Sequence, residues 1–285
     1  MHYMPGESLR VEMMQGAYKL CTQCANIKPG ENVVISSDFN KLRIAECIAG
    51  AALALGAKPT IVMITPTGAH GAQLTKPAED AVAASDVFFL PATYSQTHTD
   101  ARIRALKNGA RGTTMCEVTE DLMCTGAMLG NYLECDARGR KLGAVISAGK
   151  KWRFITKEGT DLEGVIEGRP TQYETGLFRE PGQFAAWPNS EINIAPIEGT
   201  ANGKIVVNVR IMNIGVMKDE PTTLFVKNGL IVGAEGAGGE ELMKLLGDFN
   251  DPTAFNIAEF GLGLNPVSRM YANNLEDLGK WGTGH

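Results

Sequence analysis

Between Glu31 and about residue 147 the chain alternates short β-branched apolar runs with helical stretches, and this restricts the fold more than any other feature. The runs "NVVIS", "PTIVMIT", "DVFFLPA" and "GTTMCEV" are separated by "KLRIAECIAGAALALGA", "AEDAVAAS" and "DARIRALKNGA". Strands joined through helices by short loops build a parallel sheet covered on both faces. The spacing predicts a Rossmann-like α/β lobe over 1–148. The end of its first strand lacks the G-x-G-x-x-G turn that a dinucleotide requires. Ser36, Ser37 and Asp38 stand there instead and read as caps of the next helix, which argues against a nicotinamide cofactor.

From Lys151 the period changes from helical to alternating. "KWRFITKEGTDLEGVIEGR" and "GKIVVNVRIMNIG" alternate apolar and polar residues, and "TTLFVKNGLIVGAEG" sets an Asn-Gly turn between two strands. A helix is expected at "GEELMKLLGDF". The fold class is therefore α/β, a Rossmann-like parallel-sheet lobe followed by a mainly antiparallel β (α+β) lobe over 149–285.

A chain of 285 residues, 44% hydrophobic, has enough apolar material for two such lobes. A net charge of −5 offers no basic face to nucleic acid or to an anionic membrane. No apolar run approaches the ~18 residues of a membrane span. "MHYMPGESLR" has neither the basic flank nor the apolar stretch of a signal peptide, so a cytoplasmic protein is expected. All six cysteines then read as free thiols. "CTQC" (Cys21 to Cys24) has redox or zinc spacing, but it sits in a helical apolar pattern with no second pair, and buried helix cysteines are the simpler reading.

Four polar residues of the second half stand where packing does not ask for them: Glu174 in "QYETGLFREPG", Glu191 in "WPNSEINIAP", Glu259 in "IAEFGLGLNP" and His285 in "GTGH". Carboxylates with an imidazole suit a divalent metal ion, the oxygens neutralising its charge and the nitrogen favouring Zn, Mn, Co or Fe(II) over Ca and Mg. Their separations require the fold to bring them together. Taken singly, Glu191 also reads as a solvent-facing strand residue, Glu259 as a cap or salt-bridge partner, and His285 as a frayed terminal side chain. His98 and His70 each follow a predicted strand's C-terminal end, where open sheets expose ligand-binding loops. His98 is the better candidate for substrate contact and reads equally as a helix-capping surface residue.

"THTDARIRALKNGARGTTMCEVTEDLM", "RFITKEGTDLEGVIEGR", "PNSEINIAPIEGTANG", "EFGLGLNP" and "GTGH" resemble motifs of the aminopeptidase T-like superfamily of metallopeptidases, from about residue 30 to the end of the chain. That superfamily also holds the iron-dependent 2,5-dihydroxypyridine dioxygenases, which "YETGLFREPGQFAAWP" and "GDFNDPTAFNIAEFGLGLNP" resemble. The peptidase resemblance implies metal ligands at Glu191, Glu259 and His285. The dioxygenase resemblance implies Glu174 and His285, with Ala186 and Glu259 standing where that branch has histidines.

Because the second half of the chain offers one histidine and several glutamates, the resemblance is read first as an aminopeptidase-type metal-dependent hydrolase. It would use Zn, Co or Mn on a small-molecule or short peptide substrate, with Glu174 taking a proton from metal-bound water. The alternative is an Fe(II)-dependent ring-cleaving dioxygenase of a dihydroxypyridine-like compound. A third reading is a non-catalytic small-molecule binding protein of the same fold. The resemblance further implies a homodimer, and a second lobe cut short at its C terminus.

Overall fold

The computed structural model describes residues 10–217, 220–271 and 273–285. Residues 1–9, on which most of the signal-peptide reading falls, lie outside the described residues. In chain order the first half runs α1 (Arg10–Lys19), a π-turn (Leu20–Cys24), β1 (Asn32–Asp38), α2 (Leu42–Ala54), β2 (Lys58–Ile64), α3 (Lys76–Ala83), β3 (Val87–Leu90), α4 (Asp100–Lys107), β4 (Arg111–Thr114), a short α5 (Glu120–Cys124) and α6 (Tyr132–Ser147). The second half holds β5 (Lys151–Ile155), β6 (Asp161–Val165), β7 (Gln172–Glu174), β8 (Phe184–Ala186), β9 (Glu191–Ile194), β10 (Asn202–Val207), β11 (Arg210–Ile211), β12 (Gly215–Val216), β13 (Thr222–Lys227), β14 (Leu230–Gly236), α7 (Gly239–Asp248), β15 (Phe260–Gly263) and α8 (Asn274–Leu278). None of the described helices is long and apolar enough to cross a membrane.

The first sheet is parallel, in the order β2-β1-β3-β4-β8. Its first four strands are those that the alternation predicts, and Phe88 and Phe89 show why both faces are covered. Successive strand residues point to opposite faces. Phe89 packs with Met13, Ile35, Ile48 and Trp187 on the side of α1 and α2, while Phe88 packs with Val34, Val82 and Ala101 on the side of α3 and α4. Each such burial contributes roughly 1.5–3 kcal/mol. The fifth strand, β8, comes from the second half of the chain and pairs Gly112 with Phe184 and Thr114 with Ala186. Three residues are too few to show a period.

At the end of β1, Asp38 accepts a hydrogen bond from Asn40 N (3.0 Å) and caps the following turn, whereas Ser37 Oγ donates to Pro91 O (2.9 Å). Cys21 and Cys24 are buried in the π-turn. Burial pushes the Cys21 thiol up to about 12 and that of Cys24 higher still, so neither forms a thiolate at neutral pH.

The second half forms an antiparallel sheet β14-β13-β10-β6-β5, a ribbon β11-β12, and a three-stranded sheet β15-β9-β7. The Asn-Gly turn lies between β13 and β14, with Asn228 at φ 49° and Gly229 at φ 78°, the paired positive φ of a tight hairpin. The predicted helix is α7.

Helix α6, which the sequence pattern does not single out, lies behind the small sheet. Gly139 and Gly143 stand one turn apart where a helix would normally show an apolar stripe. A Cβ at Gly139 would stand 2.8 Å from Leu264, and one at Gly143 would stand 2.5 Å from the Tyr173 hydroxyl. The two glycines let the helix come close to the sheet between the apolar contacts of Cys135, Leu142 and Ile146, an approach that periodicity does not register.

Candidate metal centre

The antiparallel register of β7, β9 and β15 sets Glu174 opposite Glu191, and Glu191 opposite Gly263. Directly paired residues share a sheet face, so two like charges stand side by side where strand pairing alone would disfavour them. One pair further along, Asn193 stands between Gln172 and Gly261.

The glycines of "FGLGLNP" make room above this face. A Cβ at Gly261 would stand 2.0 Å from the His285 ring, and one at Gly263 would stand 2.0 Å from Lys280 O. The segment from Lys280 crosses here and is tied down by hydrogen bonds from Gly261 N to His285 O (2.9 Å) and from His285 N to Gly261 O (3.2 Å). The spacing of the two glycines thus seats the histidine.

Glu191, Glu259 and His285 meet there, each offering a ligand atom within 4.8 Å of the others. His285 Nε2 lies 3.1 Å from Glu191 Oε2 and 3.4 Å from Glu259 Oε1. Glu191 is 3% exposed, and its Oε2 has no hydrogen-bond partner although His285 Nε2 lies 3.1 Å away. Burying an unpaired carboxylate oxygen is costly. A cation between Glu191, Glu259 and His285 would remove that cost, so this donor set fits a divalent metal ion.

Protonation follows from the same burial. Burial pushes Glu191 up to about 7 against the pull of His285. Burial also raises Glu174, and Glu259 adds to the effect. His285 is lowered by burial, but Glu259, Glu191 and Glu174 outweigh this and raise it above its ordinary value. Metal uptake must therefore displace protons near neutrality. Co(II) affinity, titrated at pH 8, 7 and 6, is expected to fall about tenfold or more per pH unit below 7; a flat profile would show that Glu191 and His285 do not ligate.

Glu259 and His285 also line a cleft of 820 Å³ whose nearest walls are aromatic. Phe260 stacks on Trp152 (ring centroids 4.8 Å apart, 14° between planes) and meets Phe154 at 5.1 Å and 57°.

Not every residue singled out in the sequence comes to this place. Glu174 adjoins the cluster through strand pairing and Asn189, whose Nδ2 lies 3.5 Å from Glu174 Oε2. His98 lies in an exposed turn before α4 in the parallel-sheet lobe and lines neither the cluster nor the cleft. His70 accepts from Ser95 N (3.1 Å) and ties two loops of that lobe together. Two residues near the cluster carry no sequence signal of their own: Asn189 and Asn193, both buried.

The family described as NicX, 2,5-dihydroxypyridine 5,6-dioxygenase, matches residues 12–281. The 2,5-dihydroxypyridine 5,6-dioxygenase of Pseudomonas putida KT2440 is 28% identical over 186 residues, which cover 63% of this chain and 51% of that protein. The chain thus spans about half the length of the curated relative it matches. Among solved structures, 2,5-dihydroxypyridine dioxygenase from Pseudomonas putida KT2440 superposes with a TM-score of 0.77 at 21% identity, covering 95% of this chain and 84% of that one. AmpT from Thermus thermophilus superposes with a TM-score of 0.63 at 16% identity, covering 90% and 78%.

These matches overturn the expectation of an aminopeptidase-type hydrolase in favour of the dioxygenase alternative. The likeness to AmpT is one of fold. The motifs that resemble the peptidases include the hairpin of β5 and β6 and the glycine strand β15, which are parts of the scaffold, whereas the family match extends over nearly the whole chain. By that match, over residues 12–281, the chain belongs to the NicX family of 2,5-dihydroxypyridine 5,6-dioxygenases.

Proposed function

We propose that this chain is an Fe(II)-dependent ring-cleaving dioxygenase acting on a dihydroxypyridine-like N-heteroaromatic compound. The observation that carries the reading is the cluster of Glu191, Glu259 and His285 at the edge of an aromatic-walled cleft. Glu191, Glu259 and His285 hold the metal, with Glu174 beside them. Bound Fe(II) supplies the redox chemistry that joins O₂ to the ring.

The chain's own residues do the remainder. Phe260, backed by Trp152, and Phe154 orient a flat ring next to the ligands, since offset and tilted aromatic contacts are the favoured geometries. Ile205, Leu224 and Ile257 line the cleft and exclude water from the reacting face. Glu174, raised by burial and by Glu259, accepts and holds the proton of a substrate hydroxyl.

Protein loaded anaerobically with Fe(II) is expected to consume O₂ in step with loss of 2,5-dihydroxypyridine, and the metal-stripped protein is not. In Glu259→Ala, metal content by elemental analysis should fall by at least the 10–100-fold typical of losing even an outer-sphere partner. Stoichiometric metal in that variant, or no O₂ uptake by the Fe(II)-loaded protein, would refute the reading.

A further inference from the structure

The carboxylates of the cluster do not stand alone on their sheet face. Asn193 Nδ2 lies 3.5 Å from Glu191 Oε1, and Asn189 Nδ2 lies 3.5 Å from Glu174 Oε2. Both amides are buried, at 3% and 2% exposure. Asn193 is two residues after Glu191 on β9, so its side chain shares that face, and its partner across the sheet is Gly261, above which His285 sits. Asn189 lies just ahead of β9.

Asn193 addresses one oxygen of Glu191, whereas Asn189 lies against Glu174 and reaches toward Glu191 as well. Glu191 Oε1 faces Asn193, while Glu191 Oε2 lies toward His285 with no hydrogen-bond partner. A carboxylate can bind a cation through one oxygen or both, and a donor on one oxygen favours binding through the other. One-oxygen binding leaves more of the coordination shell open, which a metal that must also receive substrate and O₂ requires.

We infer that Asn193 is a positioning residue that holds Glu191 by one oxygen, so that Glu191 turns only its other oxygen to the metal, and that Asn189 fixes Glu174 beside Glu191. The inference rests on the metal reading of the cluster. Neither amide is itself a ligand; each acts through the carboxylate it touches. Neighbours that orient metal ligands in this way typically change metal affinity 10–100-fold when removed.

The test uses Co(II) as the probe, because its visible absorption reports coordination number as well as occupancy. Asn193→Leu and Asn189→Leu, which keep shape and lose the amide, are expected to bind Co(II) about 10–100-fold more weakly than wild type. In Asn193→Leu the bound Co(II) spectrum should also shift toward the weaker bands of higher coordination as the freed Glu191 oxygen joins the metal. Asn193→Gln, which retains an amide, should recover part of the affinity and the wild-type spectrum. Thermal melts of the metal-free variants check folding, and the two substitutions are read separately so that misfolding of one leaves the other as the test.

Wild-type affinity in a folded Leu variant at either position would overturn the role assigned to that asparagine. Loss of affinity with an unchanged spectrum in Asn193→Leu would overturn the one-oxygen geometry. Wild-type protein that takes up no Co(II) would refute instead the metal reading on which the inference rests.

Discussion

Glu191→Gln is expected to make the metal-free protein more stable at pH 8 while abolishing its metal binding. A single substitution should thus separate folding from function. The Glu191 carboxyl is raised from its ordinary 4.5 to about 7, chiefly by burial. An acid whose folded value lies above its unfolded one favours the folded state most when protonated, so this contribution is complete below about 4.5 and is lost as pH rises through 7. His285, also raised, works in the same direction: its contribution is present below its unfolded value and disappears as pH climbs past its folded one.

The metal-free protein should therefore lose stability as pH rises from about 5 to above 7, by up to about 3 kcal/mol from Glu191 alone at 1.36 kcal/mol per pKa unit. Glutamine carries no charge to bury. At pH 8 its melting temperature, measured in chelator, should exceed wild type by roughly 5 °C, given about 2 °C per kcal/mol for a chain of this size. At pH 5, where Glu191 is already neutral, the two should nearly coincide. Added metal should then raise the wild-type melting point at pH 8 and leave the variant unmoved. Equal melting points at pH 8 in chelator would mean that Glu191 is not the stored cost of this fold.

That expectation also shows which parts of the site a sequence can disclose. Glu191, Glu259 and His285 stand out because charged or titratable residues sit among apolar and turn residues, and the two glycines of "FGLGLNP" advertise a close approach. Glu174 was visible for the same reason, and the pairing of β7 with β9 sets it opposite Glu191. Asn189 and Asn193 were not visible. An asparagine in "WPNSEIN" has the look of a turn residue, and only the strand register turns Asn193 to the same face as Glu191.

The lobes show the same division. The four strands with β-branched runs, the alternation of β5 and β6, and the Asn-Gly hairpin are legible because local period and turn chemistry determine them. β8 is not, since its three residues belong to the first sheet only through long-range pairing with β4. α6 hid behind its glycines. The chemistry escapes the sequence for a related reason: counting carboxylates against histidines favours hydrolysis, but a donor count does not identify the reaction when one scaffold serves several.

The second large effect is expected at Glu276, a residue that the sequence disguises. "NNLEDL" reads as an ordinary helix start, Asn followed three residues later by Glu. Asn273 does cap α8, accepting from Glu276 N (3.2 Å), but the Glu276 side chain turns away from the helix and is fully buried. Its Oε1 accepts from Ala127 N (2.7 Å), Arg269 N (3.0 Å) and Arg269 Nε (3.3 Å), and its Oε2 accepts from Arg269 Nη2 (3.1 Å). Arg269 continues the chain of charge to Asp121 (2.7 Å). A Cβ at Gly126 would stand 2.0 Å from Glu276 Oε1, so the glycine there, at φ 60°, is required by this carboxylate. The network joins the segment ahead of α6 to the segment that carries His285. Glu276→Ala leaves the Ala127 amide and the Arg269 guanidinium without their acceptor, and breaking one side of such a buried pair costs about 3–5 kcal/mol. Chemical denaturation should show that loss, whereas Asp121→Ala, at the network's exposed end, should cost about 1 kcal/mol or less. Because α8 is followed directly by the residues that cross β15, Glu276→Ala should also weaken Co(II) binding under conditions where the variant is still folded. A full loss of stability with unchanged metal affinity would show that His285 is held by its own hydrogen bonds to Gly261 and not through this joint.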